Sequence, residues 1–162
     1  MTLPFDPIDE AARQWGLRWK GVPAMHAVTS LMRVQQLVQA RLDATLKPHG
    51  LTFARYEALV LLCFTRQGSL PLGKMGERLQ VHPTSVTSIV SRLVEQGHVV
   101  RVPHPEDGRA VLAEITDSGR AVVEAATRDL VASGFALNAL DAEQLEELSE
   151  LLRPVRREAG DF

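Results

Sequence analysis

Two stretches of the chain carry residues whose types and spacing could do chemistry. HPEDGR (104–109) sets a histidine, two acids and an arginine between the apolar runs VVRV and AVLAEI. An Asp-Gly step between alternating apolar residues predicts a β-hairpin with these polar groups at its tip. The second stretch is PTSVTSIVSRLVEQG (83–97). Val86, Ile89, Val90, Leu93 and Val94 follow the spacing of a buried helix face. The opposite face offers Thr84, Ser85, Thr87, Ser88, Ser91 and Arg92, with no glutamate before Glu95. Ser and Thr are mediocre helix formers, so a hydroxyl-rich helix face needs a reason. A short-chained face can approach a DNA major groove closely. Its hydroxyls can donate to phosphates and base edges, and an arginine can fork onto guanine O6 and N7. The N-terminal end of such a helix also presents free N–H groups to phosphate.

Other chemistries find little support. His98, His104, Glu106 and Asp107 form the best catalytic or metal-binding grouping, and their spacing matches no metal motif. There is no HExxH, Gly-rich phosphate loop or serine elbow. The expectation is a protein that is not an enzyme and needs no metal or cofactor. Cys63 is the one cysteine, which excludes an intramolecular disulfide and a cysteine-rich zinc site. It lies among Leu61, Leu62 and Phe64, where a structural thiol is expected rather than a reactive one. A reducing, cytoplasmic setting fits. The start of the chain does not read as a secretory signal, and no apolar run approaches the ~18 residues of a membrane span.

Hydrophobic residues make up 45% of the 162, enough for one domain with helical extensions. The net charge of −2 does not announce a nucleic-acid binder, but its distribution is uneven. Residues 1–69 carry +3, residues 70–116 are neutral, and residues 137–162 carry −4. The acidic end should face away from a polyanion. The neutral segment can still bind one if its arginines share a surface.

The elements that must position these groups are mainly helical. Ile8, Ala11, Ala12, Trp15 and Trp19 predict a short amphipathic helix, ended by KGVP. Met25 to Leu46 predicts a long helix with a nearly continuous apolar face, ended by KPHG. Thr52 is a suitable N-cap for a helix to about Arg66, with Tyr56, Leu59, Val60, Cys63 and Phe64 facing the core. Leu72, Met75, Gly76 and Leu79 predict a short helix, and QVH a tight turn. Pro83 suits the first position of the hydroxyl-rich helix, and Gly97 its end. HVVRVP and AVLAEI are the two expected strands. A helix opens at TDSG with Val122, Val123, Ala126, Leu130 and Val131 inward. The last begins at Asp141, with Gln144 completing a capping box and Leu145, Leu148, Leu152 and Val155 along one face. Short helix, turn, longer helix and hairpin make a winged helix-turn-helix.

The segment LGKMGERLQVHPTSVTSIVSRLVEQGHVVRVPHPEDGRAVLAEITDSG (72–119) resembles the MarR family of bacterial transcriptional regulators. The matching residues are Thr87, Arg92 and Leu93, then Gly97, Asp107 and Arg109, then Ile115, Thr116 and Gly119. The likeness extends over roughly 24–156. It implies a mainly α fold with a small β-hairpin wing, flanked by N- and C-terminal dimerisation helices. The implied organisation is an N-terminal extension (1–22), dimerisation helices (23–50 and 117–162) and a DNA-binding lobe (51–116). It further implies a homodimeric repressor on double-stranded DNA, with recognition helices in successive major grooves about one turn (~10 bp) apart. Arg109 would enter the minor groove, braced by Asp107. Family wings often carry Asp-Arg-Arg, so Gly108 removes one cation and about one phosphate contact. Arg101, Lys74 and Arg55 are candidates for the DNA backbone. The family also implies a small-molecule pocket, for which Trp15, Trp19, Met25, His26, Met32, Arg33 and Tyr56 are candidates. An apolar cleft with a few polar groups suits an aromatic or phenolic effector, though for most of these residues core packing is the favoured reading. A winged helix that binds protein, and a regulator that senses oxidants or metals, are the alternatives.

Overall fold

The computed structural model describes residues 3–105 and 110–162. Helix α1 (Pro7–Gly16) starts on Asp6, whose carboxylate accepts the Ile8 N–H at 2.7 Å. The helix ends before Trp19. The Trp15 carbonyl instead accepts the N–H groups of Arg18 and Trp19 in a turn, and the two indoles meet with centroids 4.8 Å apart. Neither tryptophan is buried. Gly21, at φ 77°, reverses the chain into α2 (Val22–Leu46). A 3₁₀ turn (Lys47–His49) and Gly50, at φ 69°, lead to α3 (Phe53–Cys63). α3 stops short of Arg66, and its buried side chains are Tyr56, Ala58, Leu59 and Leu62. Phe64 was expected inside and is 81% exposed. ALVLLCF is apolar throughout, so periodicity fixes no phase there.

A third strand, unexpected from the sequence, follows. β1 (Ser69–Pro71) pairs antiparallel with β3 (Val111–Ile115), which pairs antiparallel with β2 (Val99–Pro103). The order is β1-β3-β2, with Leu70 opposite Ala113 and Ala113 opposite Arg101. Three residues ending in proline carry no alternation to read, and Pro71 sits where its missing N–H does least harm. Between β1 and β2 lie α4 (Leu72–Leu79) and α5 (Pro83–Glu95). After the sheet come α6 (Asp117–Ala132), a 3₁₀ turn (Gly134–Ala136) and α7 (Ala142–Glu158). α7 has the expected capping box between Asp141 and Gln144.

The core joins α3, α4, α5, the sheet, α6 and the last turns of α2. Leu46, Leu59, Leu62, Met75, Val86, Val90, Leu93, Val99 and Leu130 are its largest fully buried members. Val94 and Val131 were expected inside and are exposed, because each flanks a stripe that Val90 and Leu93, or Ala126 and Leu130, already fill. α7 buries none of its residues, and α2 buries only Leu42 and Leu46. Val28, Leu31, Met32, Val34, Leu37, Leu151 and Val155 are left exposed on these two helices.

Candidate nucleic-acid interface

The helix-turn-helix is set by close contact at Gly76. A Cβ there would stand 3.3 Å from the Val81 carbonyl and 3.3 Å from Val86 Cγ2, so α4 and α5 meet where only glycine fits without adjustment. Gln80 turns the corner at φ 55° and donates through Nε2 to the Asp161 carbonyl at 2.8 Å, which brings the chain beyond α7 against this turn. His82 caps α5, its Nδ1 accepting from the Thr84 N–H at 3.3 Å, and Pro83 takes the first position. Val86, Val90 and Leu93 anchor the inner face.

On the outer face Thr84, Ser85, Thr87, Ser88 and Arg92 are exposed, and Ser91 is half-buried. Thr87 donates to the Pro83 carbonyl at 3.1 Å and Ser91 to the Thr87 carbonyl at 2.8 Å. Back-bonding to the preceding turn keeps these side chains short and close to the helix. Arg101 on β2 donates to Ser91 Oγ at 2.7 Å, joining the wing strand to α5. Arg92 pairs with Glu95 at 2.7 Å and Lys74 with Glu77 at 2.9 Å. Both pairs are well exposed, so they hold their cations only weakly. The face therefore presents hydroxyls with Arg92 and Arg101, and Lys74 lies on neighbouring α4. Asp107 and Arg109, with Glu106, lie outside the described residues.

The wing root is packed tightly. Thr116 donates to the Gly97 carbonyl at 2.8 Å and accepts from the Gly119 N–H at 3.0 Å. A Cβ on Gly119 would collide with the His98 carbonyl, so the start of α6 lies directly on the start of β2. His98 pairs with Ser118 Oγ at 3.1 Å, and burial lowers its pKa below the ordinary histidine value. His98 and His104 flank the two ends of β2, and no cluster of three metal-ligating side chains occurs among the described residues. The Cys63 thiol is half-buried, and desolvation pushes its pKa up. Nearby Arg120 opposes that shift and Glu124 adds to it.

The candidate pocket residues fall into two places. Trp15, Trp19, Met25, His26, Met32 and Arg33 belong to the α1–α2 region, where His26 Nε2 meets Asp9 Oδ1 at 2.9 Å. Met32 and Arg33 line an open depression with Leu3, Phe5 and Ile8. Tyr56 lies apart, in the core beneath α6, its hydroxyl 2.9 Å from Thr127 Oγ1. Sequence reasoning did not single out Gln96, whose amide joins Arg55 to the Gly50 carbonyl. A glutamine just past the end of a helix carries no signal of such a role.

This arrangement defines a winged-helix protein that exposes the outer face of its second helix. A profile of the MarR family matches residues 54–111. A MarR family transcriptional regulator from Streptomyces coelicolor superimposes with a TM-score of 0.81 at 60% identity, over 88% of this chain and 99% of that one. A second regulator of the family from the same organism, solved in complex with DNA, gives a TM-score of 0.77 at 25% identity, over 85% and 88% of the two chains. An uncharacterized HTH-type transcriptional regulator from Mycobacterium bovis is 35% identical over 102 residues, 63% of this chain and 66% of that relative, just under two thirds of its length. The chain belongs to the MarR family of transcriptional regulators. It is a regulator rather than an enzyme.

Proposed function

We propose that this chain is a sequence-specific DNA-binding repressor, acting as a homodimer on a pseudo-palindromic operator. The observation that carries the reading is the outer face of α5. It exposes Thr84, Ser85, Thr87 and Ser88 beside Arg92, and it is joined to the wing strand through Ser91 and Arg101. α5 would lie in the major groove, with Lys74 and Arg101 on flanking phosphates. Arg109 would enter the minor groove with Asp107 as its brace. The exposed apolar residues of α2 and α7 support a two-fold dimer, because one lobe alone leaves them in water. Such a dimer presents two recognition helices about one DNA turn apart.

In this reading a small aromatic or phenolic ligand releases the operator by favouring a dimer whose helices no longer match the groove spacing. Met32 and Arg33 offer such a ligand an apolar wall and one cation. The test is fluorescence anisotropy with DNA from the chain's own upstream region, at low and moderate salt, with and without phenolic ligands. Saturable binding to that DNA and weaker binding to scrambled DNA are expected. Equal affinity for both sinks the operator reading, and indifference to every phenol sinks the effector reading.

A further inference from the structure

We infer that Arg55, in the first turn of α3, is a clamp for a DNA backbone phosphate, held in its working orientation by Gln96. The inference rests on the DNA-binding reading and extends the footprint beyond the helix-turn-helix and wing. Thr52, Arg55, Ser88, Ile89 and Arg92 line one shallow concavity beside the recognition helix. Two of its members, Ser88 and Arg92, lie on the exposed face of α5. Arg55 is contributed by a different helix, α3.

Three features distinguish Arg55 from Lys74 and Arg92. First, it is fixed. Its Nε donates to Thr52 Oγ1 at 3.2 Å and its Nη1 to Gln96 Oε1 at 3.2 Å. Second, Gln96 is fixed in turn, because its Nε2 donates to the Gly50 carbonyl at 2.7 Å. A carbonyl only accepts, so the amide nitrogen must face Gly50 and the amide oxygen must face Arg55. Third, both partners of Arg55 are neutral. Lys74 and Arg92 each hold a glutamate, whereas Arg55 has no carboxylate partner among the described residues. A guanidinium carries five N–H donors. The two bonds leave Nη2 and one hydrogen of Nη1 for an incoming oxyanion.

An arginine held by neutral groups keeps its full charge and has little rotamer freedom left to lose on binding. With α5 in the major groove, a cation in the same concavity as Ser88 and Arg92 meets the phosphates that border that groove. Those phosphates position the protein and carry no sequence information. Arg55 is therefore assigned to affinity and register, and Arg92 to base readout. Gln96 is a positioning residue.

The test compares Arg55→Gln, Arg55→Lys and Gln96→Leu with the full-length protein, using DNA from its own upstream region across a salt series. Arg55→Gln should weaken binding roughly tenfold, equally for specific and scrambled DNA, as loss of a charge-assisted phosphate contact predicts. It should also lower the slope of log affinity against log salt by about 0.9 per subunit. Arg55→Lys should keep the slope and lose part of the affinity, because its ammonium cannot use the Gln96 and Thr52 contacts as a fork. Gln96→Leu should weaken binding several-fold with the slope retained. A folding defect lowers the active fraction without changing the slope, and circular dichroism identifies it. If Arg55→Gln misfolds, the Lys and Leu variants decide, and wild-type affinity in both overturns the assignment. Wild-type affinity and slope in a folded Arg55→Gln protein overturn it directly. Failure of the wild-type protein to bind any DNA would instead overturn the reading beneath it.

Discussion

Arg92 and Lys74 face the same neighbourhood, yet they should fail differently when removed. Arg92 stands in the last turn of α5, on its exposed face, and Arg92→Ala should lose one bidentate base contact. The expected cost is about 1–3 kcal/mol on the operator with little change on scrambled DNA, read as a collapse of the specificity ratio. Lys74→Ala should weaken both DNAs alike. Equal losses for both DNAs in Arg92→Ala would move that arginine to the backbone. Two titrating groups give predictions of their own. Cys63 is desolvated and its thiol pKa is raised, so less thiolate is present near neutrality. Alkylation of native protein at pH 8 should be slower than that of free cysteine and should recover on unfolding. A rate as fast as glutathione's would restore the oxidant-sensing alternative. His98 has a folded pKa below its unfolded value of about 6.5, because burial penalises its charged form. The unfolded chain therefore takes up a proton first as pH falls. The His98 contribution to stability is intact above 6.5 and declines as pH drops through 6.5 toward the folded value. His98→Gln should flatten that part of a melting-temperature profile between pH 7.5 and 5.5, and an unchanged profile would place the proton elsewhere.

Between elements, the junction of β2 with α6 is the most constrained. Gly119→Ala drives a Cβ into the His98 carbonyl, a backbone atom that cannot swing aside. It should destabilise the protein by more than about 1 kcal/mol, as overpacking does. Thr116→Ala removes the α6 cap and should cost about 0.5–2 kcal/mol. Thermal or urea unfolding measures both, and melting of the Gly119 variant at the wild-type temperature would show that the junction relaxes freely. Gly119 and Thr116 were visible in the sequence as part of TDSG, as were Pro83 with Gly97 and Asp141 with Gln144. Caps announce themselves because they are local: one side chain serves a backbone group three residues away. β1 was invisible because its pairing partner lies more than forty residues on and its three residues show no alternation. Phe64 was misplaced for a related reason. A helix that is apolar all round does not say which side its neighbours will occupy. Trp19 was drawn into α1 by spacing alone, although the turn after Gly16 had already ended the helix. The exposed face of α5 was legible because its polar and apolar positions separate cleanly. The Arg55–Gln96–Gly50 chain was not, since Gln96 lies more than forty residues from the other two.

At the scale of the whole molecule, the distribution of burial is uneven. The winged-helix lobe is closed, while α7 has no buried residue and most of α2 lies in water. A helix of 17 residues that packs so little of itself has weak support from tertiary contacts, from which most helical stability in proteins comes. Its exposed Leu151 and Val155, with Val28, Leu31 and Leu37 of α2, are the residues a second copy would cover in the proposed dimer. Charge favours the same pairing, since residues 1–69 carry +3 and residues 137–162 carry −4. Leu151→Glu combined with Val155→Glu should therefore shift the protein from dimer to monomer in sedimentation or light scattering. Because α5 lies in the other lobe, its fold should persist while operator affinity falls. A single half-site offers half of the phosphate contacts, so the salt slope should roughly halve as well. A monomer that retained wild-type affinity and slope would separate DNA binding from dimerisation. A variant that stayed dimeric would move the interface away from this face of α7.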